Sequence, residues 1–208
     1  MTSEDLIELE PPSPDETASR NPRRLWIFTA VLAVIAIAIL VALGPLTWQI
    51  FSQKGATLAM PATIGTLQRD DSAGAKETAN DLVSALRAEI DLDATTGAIY
   101  NDPAAGAGKV IMLFGGTALL WSPEKELDTV ITNLADTGDP IKDLSKVDAG
   151  SLGGVMKCGV TAGPDAGSSM SVCGWADHGS IALGLFPGRT PSDAAVLMRQ
   201  LRAATLTR

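Results

Sequence analysis

The sequence predicts an α+β protein: one N-terminal transmembrane helix, then an antiparallel sheet with about three helices packed on one face. Three observations carry this. Residues 25–43, LWIFTAVLAVIAIAILVAL, run without a charge, a Pro or a Gly. Further along, three stretches place apolar residues at three- and four-residue steps, the mark of amphipathic helices. Between them lie short apolar or alternating runs closed by Gly, Pro and Asp, which read as strands joined by hairpins rather than by regular βαβ crossovers.

The apolar stretch comes first. A helix from Trp26 to Trp48 would rise roughly 33 Å, close to the ~30 Å hydrocarbon core of a bilayer. Its two tryptophans would then fall at the two water interfaces. This divides the chain into a disordered tail (1–24), a transmembrane helix (25–48), a linker (49–60) and a folded domain (61–208). The tail is rich in acidic residues, Pro and Ser and has too little apolar surface to fold, so it reads as a solvated tether, with a docking or phosphorylation segment at Ser13-Pro14 as the alternative. Arg20, Arg23 and Arg24 precede the stretch and only Lys54 closely follows it, which puts the tail in the cytoplasm and the domain outside the cell membrane. A cleaved signal peptide fits less well, because its small-residue site at Ala42-Leu43-Gly44 is followed by Pro45.

Beyond residue 54 the chain keeps 18 of its 24 acidic residues and 12 of its 16 basic ones, a net charge of −6. No Lys/Arg cluster interrupts that field, so nucleic acid is not an expected partner. The two cysteines, Cys158 and Cys173, both follow the apolar stretch and are not in a C-x-x-C arrangement. The turn signal Gly163-Pro164-Asp165-Ala166-Gly167 lies between them, and a hairpin folded there sets them opposite one another. One disulfide is the expectation, in keeping with an oxidising compartment.

Within the domain, a short extended piece is expected around Ala62 to Leu67. Ala79, Leu82, Val83, Leu86 and Ile90 form the stripe of a first helix, about Ala75 to Ile90. Ile99-Tyr100 reads as a brief strand. Val110 to Phe114 is an apolar run suited to a strand buried on both faces, interrupted or bent at Gly115-Gly116. Ser122-Pro123 is a helix start, and Leu127, Val130, Ile131 and Leu134 are its stripe. After a polar connection, Val147 to Trp175 has strand and turn content, and Ile181, Leu183 and Leu185 alternate as a strand with one buried face. Thr190-Pro191-Ser192-Asp193 opens a last helix with Ala194, Leu197, Met198 and Leu201 inward. The Ser/Thr-Pro start occurs twice, which capping chemistry explains without a duplicated half-domain.

Chemistry is sparse. His178 is the only histidine, it follows Asp177 directly, and no G-x-S-x-G elbow accompanies it. Ser151, Ser169 and Ser180 are nucleophile candidates by residue type alone. No catalytic residue, cofactor or metal site is assigned. Asp91 to Gly97 followed by Asp102 departs from a calcium loop, with Gly at the seventh place instead of the sixth. Gly106-Ala107-Gly108-Lys109 lacks the first Gly and the hydroxyl residue of a phosphate loop. Gly150-Ser151-Leu152-Gly153-Gly154 reads as a bulge, or else as a binding lip. Trp175 reads as packed against the disulfide; exposed, it would mark an interface. Gly153, Gly154, Trp175, Asp177 and His178 are the candidate interaction surface.

The Gly-Gly turn before Cys158, and the run Cys173-Gly174-Trp175-Ala176-Asp177, resemble small membrane-anchored proteins of unassigned function from high-GC Gram-positive bacteria. The resemblance covers mainly residues 147–186, implies a cell-envelope setting and brings no catalytic residue with it. The functional expectation is a membrane-anchored, non-enzymatic binding module for an envelope protein or small ligand. The alternatives are an envelope hydrolase using His178 and an accessory or sensor subunit of a membrane complex.

Overall fold

The structure is a computed structural model describing residue 26, residues 30–41, residue 44 and residues 55–208, except 107, 108, 137 and 138. The chain divides into two units, Met1–Pro45 and Leu46–Arg208. In the first, residues 26, 30–41 and 44 are helical, and residues 30–41, labelled α1, are exposed. Among the described residues no helix is long and apolar enough to cross a membrane, and the expectation of a transmembrane helix is corrected on that finding. An uncharged, apolar stretch is compatible with a bilayer but does not by itself make a span. The tail 1–24, and the parts of 25–54 outside residues 26, 30–41 and 44, lie outside the described residues.

The second unit is built on one eight-stranded antiparallel sheet. Its elements run β1 (Thr57–Leu58), β2 (Thr63–Ile64), β3 (Leu67–Arg69), α2 (Ala73–Glu89), β4 (Ala94–Asn101), β5 (Val110–Thr117), α3 (Pro123–Asp136), β6 (Lys142–Val147), β7 (Val155–Ala162), β8 (Ser169–Ala176), β9 (Ser180–Pro187), α4 (Pro191–Thr205) and β10 (Leu206–Thr207). The strand order is β2-β3-β4-β5-β9-β8-β7-β6, while β1 and β10 form a separate two-stranded ribbon. Folding thus reaches back into the stretch read as a linker, where Thr57–Leu58 pairs with the last strand and Met60 joins the core.

The helices do not share one face. Ala194, Ala195, Met198 and Leu201 of α4 pack with Ile111, Leu113, Cys173, Trp175, Ala182 and Phe186. The intervening strand residues, Phe114, Val172, Ile181 and Leu183, pack on the other side with Leu86 of α2 and Leu127, Val130 and Ile131 of α3. Successive residues of a strand point to opposite faces, so β5, β8 and β9 are apolar both ways and each face needs its own cover. The small residues between the leucines of β9, Ala182 and Gly184, leave room on the α4 side, where a Cβ on Gly184 would lie 3.0 Å from Met198 Sδ; alternation alone would leave them facing solvent. Gly174 does the same on the opposite side, since a Cβ there would lie 2.7 Å from Leu127 Cδ1.

Helix starts follow the expected chemistry. Ser72 accepts from the Ala75 amide to begin α2, and Thr190 accepts from the Asp193 amide to begin α4. Three strand expectations change. β4 is eight residues long and absorbs Thr95 to Gly97, so the run compared with a calcium loop is largely sheet. β5 continues through Gly115-Gly116, where a side chain on Gly115 would collide with Ala182. The polar connection holds edge strand β6, with a register shift between Lys142 and Ser145 and Asp143 at φ 53°. Its Lys-rich, irregular edge discourages pairing with another chain.

Cys158 and Cys173 are paired in a disulfide at directly opposed positions of β7 and β8, with a Cα–Cα distance of 4.1 Å, and both are fully buried. This agrees with the hairpin read from the sequence. Closing a loop of 15 residues stabilises a fold by about 3 kcal/mol on the chain-entropy estimate. The double substitution Cys158→Ala, Cys173→Ala is expected to lower the unfolding free energy in urea by about that amount; an unchanged midpoint would count against a stapling role.

Candidate functional site

The five residues proposed as an interaction surface lie at one end of the sheet, and two of them turn inwards. Trp175 and Asp177 are fully buried. The Asp177 carboxylate is a hub: Oδ2 accepts from Arg202 at 2.7 Å and Arg208 at 2.6 Å, and Oδ1 accepts from the Gly179 amide and Ser180 Oγ. Ser180 Oγ in turn accepts from Trp175 Nε1 at 3.4 Å, and the Arg202 guanidinium stands 5.7 Å from the Trp175 ring centre. Arg202 also donates to the carbonyls of Ala149 and Gly153, and Arg208 to that of Leu152. The Gly-rich loop is therefore a turn whose carbonyls receive arginines. Gly154 holds φ 76° there, and a Cβ on it would meet the Ala176 carbonyl at 2.5 Å. Burial pushes the Arg202 pKa down from its ordinary value, while the hydrogen bond and charge of Asp177 work in the opposite direction.

His178 is half-buried. Its Nδ1 lies 2.8 Å from the Leu120 carbonyl, and its ring borders a hollow of about 200 Å³ with Gly55, Asp93 and Leu119. Ser180 Oγ, the nearest serine in sequence, is engaged by Asp177 and Trp175, and Ser151 and Ser169 are exposed on the surface. No group of three or more metal-ligating side chains able to hold an ion occurs among the described residues. A second hollow, beside the start of α2, is bordered by Arg69, Asp71 and Lys76, which pair with one another at the surface.

A different place has the shape of a binding site. On the α2/α3 face, Met112, Leu185 and Val172 stand side by side in one cross-strand row, with Met170 beyond them. Leu82 of α2, Leu134 in the last turn of α3, Ile141 and the Gly163-Pro164 turn border the same space. Gly159 continues the row on β7, and the space a side chain would take there is filled by Ile141. The result is a groove of about 430 Å³, in the range of small-molecule sites. Its polar contribution is small: Thr161 Oγ1 donates to the Asp139 carbonyl, which leaves the Asp139 carboxylate at the rim. No protein-family model, curated protein or solved structure matches this chain. The groove was not read from the sequence. Leu82, Leu134 and Leu185 were legible as inward residues, but their leaving a gap depends on where two helices lie.

Two outcomes test this account. Arg202→Ala is expected to cost about 3–5 kcal/mol of stability, because it strips a buried carboxylate of one partner. Arg208→Ala should cost less, being partly exposed; a loss within about 1 kcal/mol for Arg202→Ala would refute the hub. The second outcome concerns pH. Glu124 bonds Lys146 at 2.8 Å and Lys157 at 3.1 Å, and these lysines hold its pKa below the ordinary carboxylate value. A depressed carboxylate stabilises the fold above its unfolded pKa, and that contribution is lost as pH falls through the folded one. Thermal melts between neutral pH and about pH 3 should therefore decline less steeply for Glu124→Gln than for the parent.

Proposed function

We propose that this protein is a membrane-anchored, non-enzymatic binding module of the cell envelope that takes an apolar, acyl-chain-like ligand into the groove of the α2/α3 face. The groove itself carries the reading: its lining is apolar except for Thr161 and a single carboxylate residue, Asp139. Recognition would rest on burial of the ligand's apolar body, at roughly 25 cal/mol per Å². Asp139 and the net charge of −6 beyond residue 54 disfavour an anionic head group. The disulfide supports an oxidising location for the folded unit, and the resemblance to membrane-anchored envelope proteins points the same way.

The test is titration of the purified full chain with a fluorescent fatty-alcohol analogue, a neutral probe. Saturable binding is expected, weakened at least about tenfold by Leu185→Glu, equivalent to about 1.4 kcal/mol. Met170→Glu, on a partly exposed floor position, should act likewise with less risk to folding. Equal binding by the parent and both variants, or no binding by the parent, would defeat the proposal.

A further inference from the structure

The loop between β5 and α3 presents apolar side chains to solvent in a way the fold does not require. Trp121 is 73% exposed and Leu119 44%, while Leu120 between them is buried. The loop is held in place. The Ala118 amide donates to the Gly179 carbonyl, the Leu120 amide donates to the His178 carbonyl, and His178 Nδ1 meets the Leu120 carbonyl at 2.8 Å. Such clamping keeps Leu119 and Trp121 displayed instead of letting them fold back.

The loop also has a particular neighbour. Gly55 and Ala56, where description of the folded unit begins, border the same hollow as Leu119 and His178. The sequence just before them contains Trp48, Ile50 and Phe51, and no charged residue occurs from Leu25 to Gln53. This uncharged sequence therefore leads, through Lys54, into the residues that border the same hollow as Leu119.

We infer that Leu119 and Trp121 are a lipid contact: the loop seats this end of the unit in the interfacial layer of a bilayer. The inference rests on the membrane association proposed above and adds which part of the unit touches lipid. Trp suits that layer because its ring is apolar and its N–H can remain hydrated. Asp93 beside the hollow makes the attraction apolar instead of ionic, so neutral lipid suffices and salt should not release the loop.

The experiment uses the full chain with neutral phosphatidylcholine vesicles, first in flotation and then in fluorescence. The emission of Trp121 is taken as the difference between the parent and Trp121→Phe, which cancels Trp26, Trp48 and Trp175. The expected result is that this difference is blue-shifted, quenched by lipids brominated high on the acyl chain and shielded from aqueous acrylamide. Leu119→Ser should weaken the bromine quenching while flotation persists. Flotation with Trp121 open to acrylamide and untouched by bromine overturns the lipid contact and leaves membrane association standing. Shielding from both quenchers means a protein–protein contact and also overturns it. Absence of flotation defeats both readings together.

Discussion

A sheet whose central strands are apolar on both sides cannot leave either side to water, and that requirement shapes the rest of the folded unit. On one side α4 lies over β7 and β8 and meets the first hydrophobic cluster alone among the helices. On the other, α2 covers β4 and β5 while α3 covers β8. Two helices entering from different connections need not meet along their length. They do touch: Asn133 of α3 donates to Glu89 of α2 at 2.6 Å. Beside that contact Met112 and Leu185 remain partly exposed on the floor of the groove. The groove is therefore a consequence of covering one sheet face with two elements, and its apolar floor is the ordinary inner face of the strands.

The opposite side is secured by a charge. Asp177 follows β8 in the turn to β9, and its two arginines come from the end of α4 and from the chain's last residue. Through Arg202 the same ions hold the loop between β6 and β7 by its carbonyls. One carboxylate thus ties four separate pieces of chain together at one end of the sheet. Burying two charged groups, Asp177 and Arg202, is costly unless each is paired, and the density of hydrogen bonds around Asp177 is the compensation. This also explains why the tryptophan and aspartate of the Cys-x-Trp-Ala-Asp run serve packing: Trp175 lies beneath Arg202 and beside the disulfide cluster.

Local physics was legible in the sequence wherever one element decided the matter. The stripe Leu127, Val130, Ile131, the cap at Thr190, and the facing cysteines all depend on spacing within a single helix or hairpin. Features set by two elements were not. Ala182 and Gly184 look like solvent-side positions until α4 is seen above them, and β6 shows no alternation because the edge is exposed on both faces. The apolar stretch 25–43 shows the other limit, since composition specifies a compatible environment and does not by itself make a span. The groove belongs to the same class as β6: every side chain in it has an ordinary inward pattern, and only the meeting of several elements makes it a site.

The groove and the exposed loop stand at opposite ends of the same strands. Met112 opens β5 on the groove side, and Thr117 closes it beside the hollow shared by Gly55 and His178. Five residues of antiparallel strand span roughly 17 Å, and Trp121 lies beyond that. If the Trp121 loop rests on lipid, the groove stands at the end of the sheet remote from the bilayer surface. A ligand would then have to reach the groove from the aqueous side, already free of the membrane or carried by another protein. That geometry favours a receiving or presenting role over direct extraction of lipid from the layer beneath. It follows from strand polarity alone, because antiparallel connections put the β5–α3 loop and the β7–β8 turn at opposite ends of the sheet.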